Sequence, residues 1–473
     1  MANAEHLRLL RTDSWNTWRK SNPSTTPDFV GADLTGVDLS LKDLSQAHFS
    51  KADLTDTNFA GANLSSAIFT GALTRGARFH KANLEGIHLD YAELPNLDFT
   101  GAQMKNALLR NSTLTGCNLS AADLTGASFD GANLRSANFS VANLEGAIFR
   151  GAHLENANFF DAKLKKATFE NAIADESNFM KADLTGAVLY RFKARKSRWE
   201  GTRFAQAVLK EADLSESVFI QAEFFDAVFD HAILLRCDFS KAKMRKSFFR
   251  NAQMSRVKLT QTEIEDCQFN EAYMEDTDFR FAKLKSCNFA NANLRGTNFY
   301  RQNIPELLCD GAVLAKADLR EMTGTKSRFK GAKLEGANFR KAQLKESDFS
   351  GSQASAADLG GCELSLCNFS RSNLTDADLR FAALIGANLK GASLKHADLT
   401  CADLREAQLG NANFWGTNLT KTHLDSGAKW SLLPYQLLGK LFFPFHKAFK
   451  NRKSNKEKVQ SERVQKILDA KKK

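Results

Sequence analysis

Residues 131–139, GANLRSANF, hold one five-residue unit almost twice over, and the chain repeats that unit for most of its length. A small residue is followed by a polar one, then Leu or Phe, then two more small or polar residues. GADLT, KADLT, GASFD and GANLK are near copies. The Leu/Phe position, called the centre below, falls at residue numbers ending in 4 or 9. That register runs from Phe29 to Leu424 without insertion or deletion and makes eighty pentapeptides. A period of five fits neither the 3.6 of a helix nor the 2 of a strand. It does fit a chain that turns a corner every five residues, so that four sides close a coil of twenty and eighty pentapeptides make twenty coils. The centre then points inward with the small residue two before it, and the other three positions face solvent. Such a period overrides what a length of 473 residues suggests about domain number.

Sorted by side, the centres segregate. Of 27 Phe centres, 24 fall on one opposite pair of sides, among them Phe29, Phe49 and Phe69 on one and Phe59, Phe79 and Phe99 on the other. Leu and Met dominate the sides between, as at Leu44, Leu64, Leu84, Met104 and Leu124. A twenty-residue coil predicts this pattern, with rings stacked on rings and Leu filling the space between the stacks.

The repetition of A-[D/N]-[L/F]-[S/T/R]-[G/x] over residues 29–425 resembles the pentapeptide repeat proteins. That resemblance implies a right-handed quadrilateral β-helix whose coils stack in parallel. The expected fold class is an all-β solenoid of about 20 coils, with an N-terminal helical cap and a C-terminal helical or irregular tail. The expected domains are 1–28 (cap and linker), 29–425 (β-helix) and 426–473 (apolar, then Lys-rich tail). Trp15-Asn-x-Trp-Arg19 with Asn22-Pro23 also resembles the segment that precedes the array in bacterial members of the family.

Residues 4–20 lack the period and read as one short helix with Leu7, Leu10, Trp15 and Trp18 on an apolar side. Asn22-Pro23 and Pro27 end it, because proline cannot continue the hydrogen-bond ladder. A stack of coils has an open apolar end with unpaired backbone groups, and this segment is expected to be its lid.

The formal net charge of +11 points to nucleic acid or membrane until it is located. Residues 426–473 hold 13 Lys/Arg against 3 Asp/Glu, whereas the array carries 48 of each sign and is net neutral. Nucleic acid is therefore not an expected partner. Family members that mimic DNA and bind topoisomerases are strongly acidic, and the neutral array lacks the electrostatic basis for that role. Six of the eight cysteines (Cys117, Cys237, Cys267, Cys287, Cys362, Cys367) stand two before a centre, in the slot of a small buried residue. They are expected to be reduced, structural thiols, with no C-x-x-C spacing for a metal. The sequence shows no signal-peptide core and no stretch of membrane-spanning length. The expected location is cytoplasmic, with a membrane-peripheral or non-classically secreted protein as the alternative.

Outward charges are ordered as well. The column Lys163, Asp183, Arg203, Glu223, Lys243, Glu263, Lys283 alternates in sign every twenty residues, as a register-fixing ladder should. The repeat is broken at the small centres Thr74, Ala174, Ala194, Cys309, Gly324 and Ala354. Phe192, Leu307 and Met322 stand two before three of them, so interior volume is exchanged and no cavity is left. Ala174 and Ala194 stack on one side, which predicts an indentation there.

Beside it lies the first candidate partner patch: Arg191, Lys193, Arg195, Lys196, Arg198 and Trp199. Basic residues with interleaved aromatics suit phosphate contact. A second basic run, Lys241 to Lys258, is followed at once by acidic residues from Glu263 to Asp278, which favours a mutually neutralising surface. Nine scattered histidines form no constellation with Ser or Cys, and the array offers no loop on which to mount one. Neither an enzyme nor a cofactor is expected.

After Leu424 the period stops. Trp430, Leu433, Leu438, Leu441, Phe442, Phe443 and Phe445 make residues 430–449 apolar and aromatic, and a Lys-rich segment follows. This tail is read as a C-terminal lid, with contact to an anionic membrane surface or homodimerisation as alternatives. The function expected is a non-catalytic, elongated scaffold or protein-binding rod with an unidentified protein partner, the alternative being a peripheral membrane protein or secreted effector anchored by the tail.

Overall fold

The computed structural model describes residues 2–425. It divides into a first unit, Met1–Tyr273 with Phe281–Lys283, and a second, Met274–Arg280 with Leu284 onward. The pentapeptide register runs through 274–283 unbroken, so the sequence does not mark this division.

In each unit parallel β-bridges join residues twenty apart. Asp28, Asp33, Asp38 and Asp43 begin four columns of bridges in the first unit, one per side of a coil, and the second unit has bridges of the same spacing, such as Ser393↔Asn413 and Asp403↔His423. This is the quadrilateral β-helix that the period of five dictates. Four consecutive coils are regular enough to give named strands, β1 (Glu223–Phe225), β2 (Lys243–Arg245), β3 (Glu263–Glu265) and β4 (Lys283–Lys285), the first three paired in parallel with Glu223 beside Lys243 and Lys243 beside Glu263.

One pentapeptide shows how the backbone is satisfied. Leu134 donates its N–H to the His153 carbonyl (2.7 Å), and Asn133 donates to the Ser112 carbonyl (2.8 Å), so the side is hydrogen-bonded to the coils before and after it. Ala137 donates back to the Leu134 carbonyl (3.0 Å), closing a four-residue turn whose third residue, Ser136, has φ +57°. That is a type II corner. Every residue two after a centre, from Gly31 to Lys421, repeats the positive φ, which explains why Gly, Asn and Asp recur there.

Phenylalanine centres stack as the sorting predicts. Phe139 and Phe159 lie 4.8 Å apart with planes within 3°, while Phe139 meets Phe149 of the opposite stack edge-on at 5.8 Å. In the second unit Phe329, Phe349 and Phe369 repeat the stack at 4.8 and 4.7 Å. Where the small inward residue is polar, its proton goes in many coils to the carbonyl of a centre 23 residues earlier, as from Thr202 to Phe179 (2.7 Å) and Cys117 to Leu94 (2.8 Å), and in others to the centre three before, as from Ser112 to Leu109 (2.6 Å). Burial pushes the thiols of Cys117, Cys237, Cys267, Cys362 and Cys367 up to about 12. They are inert side chains of the core.

At the broken repeats the interior volume is exchanged as expected. Phe192 fills the space left by Ala174 and Ala194, with its ring 5.5 Å from Phe169 and edge-on to Trp199. Met322 occupies the room a side chain at Gly324 would need.

The N-terminal segment departs from the single helix read in the sequence. It forms two, α1 (Ala4–Leu10) and α2 (Trp15–Ser21), separated by a turn in which the Thr12 hydroxyl and N–H both donate to the Leu9 carbonyl. The break lets both helices lay residues on the first coil. Trp15 is buried 5.7 Å from Phe29 and donates its indole N–H to the Asp43 carbonyl (2.8 Å). The buried Arg19 guanidinium donates to the carbonyls of Thr25 (2.6 Å) and Ser45 (3.3 Å), and Asp28 donates its N–H to His6 Nδ1 (3.1 Å). These bonds terminate strand edges that would otherwise be open.

Candidate functional site

Each pentapeptide presents three residues outward, the one before the centre and the two after it. Any surface is therefore a lattice with a column every twenty residues, and its chemistry follows from which residues share a column.

The ladder from Lys163 to Lys283 lies in one such column, its members bridged in register from Lys163 to Glu263. Lys243 binds Glu223 (3.3 Å) and Lys283 binds Glu263 (2.9 Å), whereas Asp183 is reached by Lys165 (3.7 Å). A surface groove of about 660 Å³ beside the ladder is lined by Lys163, Lys165, Lys181 and Arg203 together with Glu145, Asp161 and Asp183, so its charge is mixed.

The first candidate patch does not assemble as one basic surface. Arg191 binds Glu211 (2.8 Å), Arg195 binds Asp175 (2.5 Å) and Arg198 binds Glu200 (3.1 Å). The Arg191 guanidinium holds the Glu211 carboxyl below its ordinary range. Lys193 and Lys196 are exposed and make no ion pair among the described residues. Trp199 is a correction: it is fully buried, because its place is a centre and the small Ala194 leaves room for an indole inside. The second basic run is neutralised in the same way, by Arg245 with Glu265 (3.6 Å), Lys258 with Asp238 (3.6 Å) and Arg250 with Asp230. The expected tail contacts, Trp430 to Phe445, lie outside the described residues.

A different surface of the first unit stands out. On the side whose centres are Phe149, Phe169, Leu189, Leu209, Phe229 and Phe249, the residues before the centres are Ile148, Thr168, Val188, Val208, Val228 and Phe248. They form one unbroken column of parallel bridges and point away from the core. Val188 is exposed and the others are half-buried by their neighbours in the column. β-Branched residues suit a pleated surface, yet five apolar side chains and Thr168 in one outward column leave a stripe without cover.

The residues after those centres, with Asp130 after Phe129, form a parallel column that is charged except at Tyr190: Asp130, Arg150, Glu170, Tyr190, Lys210, Asp230 and Arg250. Arg150 binds Asp130 (3.0 Å), Arg250 binds Asp230, and the Tyr190 hydroxyl donates to Glu211 (3.3 Å). Glu170 and Lys210 make no ion pair among the described residues. The sequence signal for this face was present, since sorting by twenty separates these flanking positions as cleanly as it separates the centres. It is invisible along the chain, where each apolar residue is flanked by inward residues, as Val188 is by Ala187 and Leu189, and reads as part of the core.

Among the described residues no three His, Cys, Asp or Glu side chains gather to hold a metal ion, and no helix is long and apolar enough to cross a membrane.

Comparison with known proteins agrees with the fold. The model of "Pentapeptide repeats" matches in eight copies, at 102–140, 112–151, 137–173, 162–198, 308–340, 325–361, 355–391 and 387–425. That of "Pentapeptide repeat region" matches 42–119 and 222–299. No curated protein matches the chain. Similar solved structures include HetL, a pentapeptide repeat protein involved in heterocyst differentiation regulation in the cyanobacterium Nostoc sp. strain PCC 7120, at 24% identity over 52% of this chain and 90% of that one, with a TM-score of 0.17. QnrB1, a plasmid-mediated fluoroquinolone resistance protein, is 22% identical over 43% of this chain and 92% of its own, with a TM-score of 0.23. A thylakoid-lumen pentapeptide repeat protein of Arabidopsis thaliana is 23% identical over 29% and 75%, with a TM-score of 0.11. With its unbroken register of five, its four columns of bridges and these matched segments, the chain belongs to the pentapeptide repeat family.

Proposed function

We propose that the protein is a non-catalytic scaffold that binds a protein partner through the apolar face of its first unit. The observation that carries this reading is the stripe Ile148–Phe248, five apolar side chains with Thr168 among them in one outward column, on a surface otherwise laced with ion pairs. Burying such a stripe returns roughly 25 cal/mol per Å² of apolar surface, and the stripe is held by the β-helix in the shape in which it binds, so little ordering is lost. The array's balance of 48 basic and 48 acidic residues supports a protein partner over nucleic acid and over a DNA-mimic role. Affinity capture from native cells tests the reading with wild type beside Val188→Lys/Val208→Lys/Val228→Lys. The substitutions point outward and leave the fold intact, so a partner bound by this face is lost from the variant. An unchanged set of captured proteins would overturn the assignment.

A further inference from the structure

The rim charges of this face complement a reversed copy of the same face. In chain order their signs are minus at Asp130, plus at Arg150, minus at Glu170, none at Tyr190, plus at Lys210, minus at Asp230 and plus at Arg250. Reversal about Tyr190 sets Glu170 opposite Lys210, Arg150 opposite Asp230 and Asp130 opposite Arg250. Every pair is of opposite sign.

A two-fold axis that lies in the face and runs along the coil direction at the Tyr190 level performs this reversal. It keeps each column opposite itself, as an isologous interface requires. The apolar column then meets its own reverse, with Val188 on Val188, Thr168 on Val208 and Ile148 on Val228. We propose, on the reading that this face binds protein, that its occupant is a second copy of the chain, antiparallel, with Tyr190 on the axis.

Glu170 and Lys210 give the arrangement its polarity. Neither has an ion pair within its own chain among the described residues, and the reversed copy supplies each with the other. The pairs Arg150–Asp130 and Arg250–Asp230 stay formed and meet as quartets of alternating sign. At the ~4.8 Å spacing of adjacent strands the matched stretch is roughly 29 Å long. A contact that narrow sits at the small end of specific interfaces, so the dimer is reversible and weakens with salt.

Sedimentation velocity on the full chain reads this directly, as a concentration-dependent rise from 52.4 kDa to twice that mass. Lys210→Glu places like charges across the axis and weakens association at least tenfold, as does Glu170→Lys, while the double swap restores it. In a Cys401→Ser background, Tyr190→Cys cross-links to itself on oxidation. Arg150→Cys does so only when mixed with Asp230→Cys. A chain that stays monomeric at every concentration overturns the proposal, and so does a dimer that is indifferent to Lys210→Glu and does not cross-link at 190. Should that monomer still lose a captured partner on Val188→Lys/Val208→Lys/Val228→Lys, only the second copy is refuted. Loss of neither refutes the binding face as well.

Discussion

Trp199 lies flat on Phe179, ring centroids 4.1 Å apart and planes within 3°, the closest of the ring stacks in the first unit. The indole takes the place of a phenylalanine because Ala194, the centre before it, is small and Phe192 has already turned inward beside it. Its Nε1 is buried with no hydrogen-bond partner. Trp199→Ala is expected to cost about 3–5 kcal/mol by opening a cavity. Trp199→Phe removes volume but also an unpaired donor, and is expected to cost under ~2 kcal/mol. Denaturant melts of the two variants check the order. Equal losses would mean that the indole is not packed as described.

The corners make a second test. Gly76 has φ +71°, and a Cβ there would overlap the Asp56 carboxylate that folds over it from the preceding coil. Gly146 has φ +67° with open space around it. Gly146→Ala is expected to cost about 1–2 kcal/mol for the left-handed backbone alone. Gly76→Ala should cost more, and Asp56→Ala should relieve only the excess, which a double-mutant cycle measures.

Thiol chemistry should separate one cysteine from seven. Cys401 is half-exposed, whereas the other seven are buried. Burial pushes Cys117, Cys237, Cys267, Cys362 and Cys367 up to about 12, so the thiolate that reacts is scarce as well as hidden. At pH 8 one thiol per chain is expected to label quickly, and Cys401→Ser to abolish that phase. The rest should label at the rate of unfolding.

Acid should weaken both units. Asp90 accepts from the Arg110 guanidinium (3.1 Å), Asp318 from Arg320 (2.8 Å) and Asp403 from Arg405 (2.9 Å), and these bonds hold the three carboxyls below their ordinary 3.8. Because the folded values are lowered, their contribution is complete above the unfolded value and is lost as pH falls from about 4 through the folded ones. Melting temperature is expected to be level at neutral pH and to drop below about pH 4. Asp90→Asn should lower it at pH 7 and flatten part of the acid slope.

The coil was legible because a period of five admits few geometries, and because Phe and Leu sort cleanly at twenty. The volume exchange at Phe192/Ala194 and Met322/Gly324 was legible for the same reason, since both members of each pair point inward. Charge was harder. Arg191, Arg195 and Arg198 read as a basic run along the chain, but Glu211 and Asp175, the partners of the first two, come from positions twenty residues away, and Glu200 closes the run beside Arg198. The cap misled because His6 and Arg19 are polar residues that folding buries, and neither fits an apolar stripe on one helix. The apolar face escaped because its members are twenty residues apart.

All of this rests on residues twenty apart being neighbours on one face. Nitroxide labels at Val188→Cys/Val208→Cys and at Val188→Cys/Arg198→Cys, both in a Cys401→Ser background, test it in one continuous-wave spectrum each. The register predicts strong dipolar broadening for the pair separated by twenty residues, which are bridged neighbours, and none for the pair separated by ten, which lie on opposite sides of a coil. Broadening of the second pair without the first would contradict the coil, and with it the apolar face.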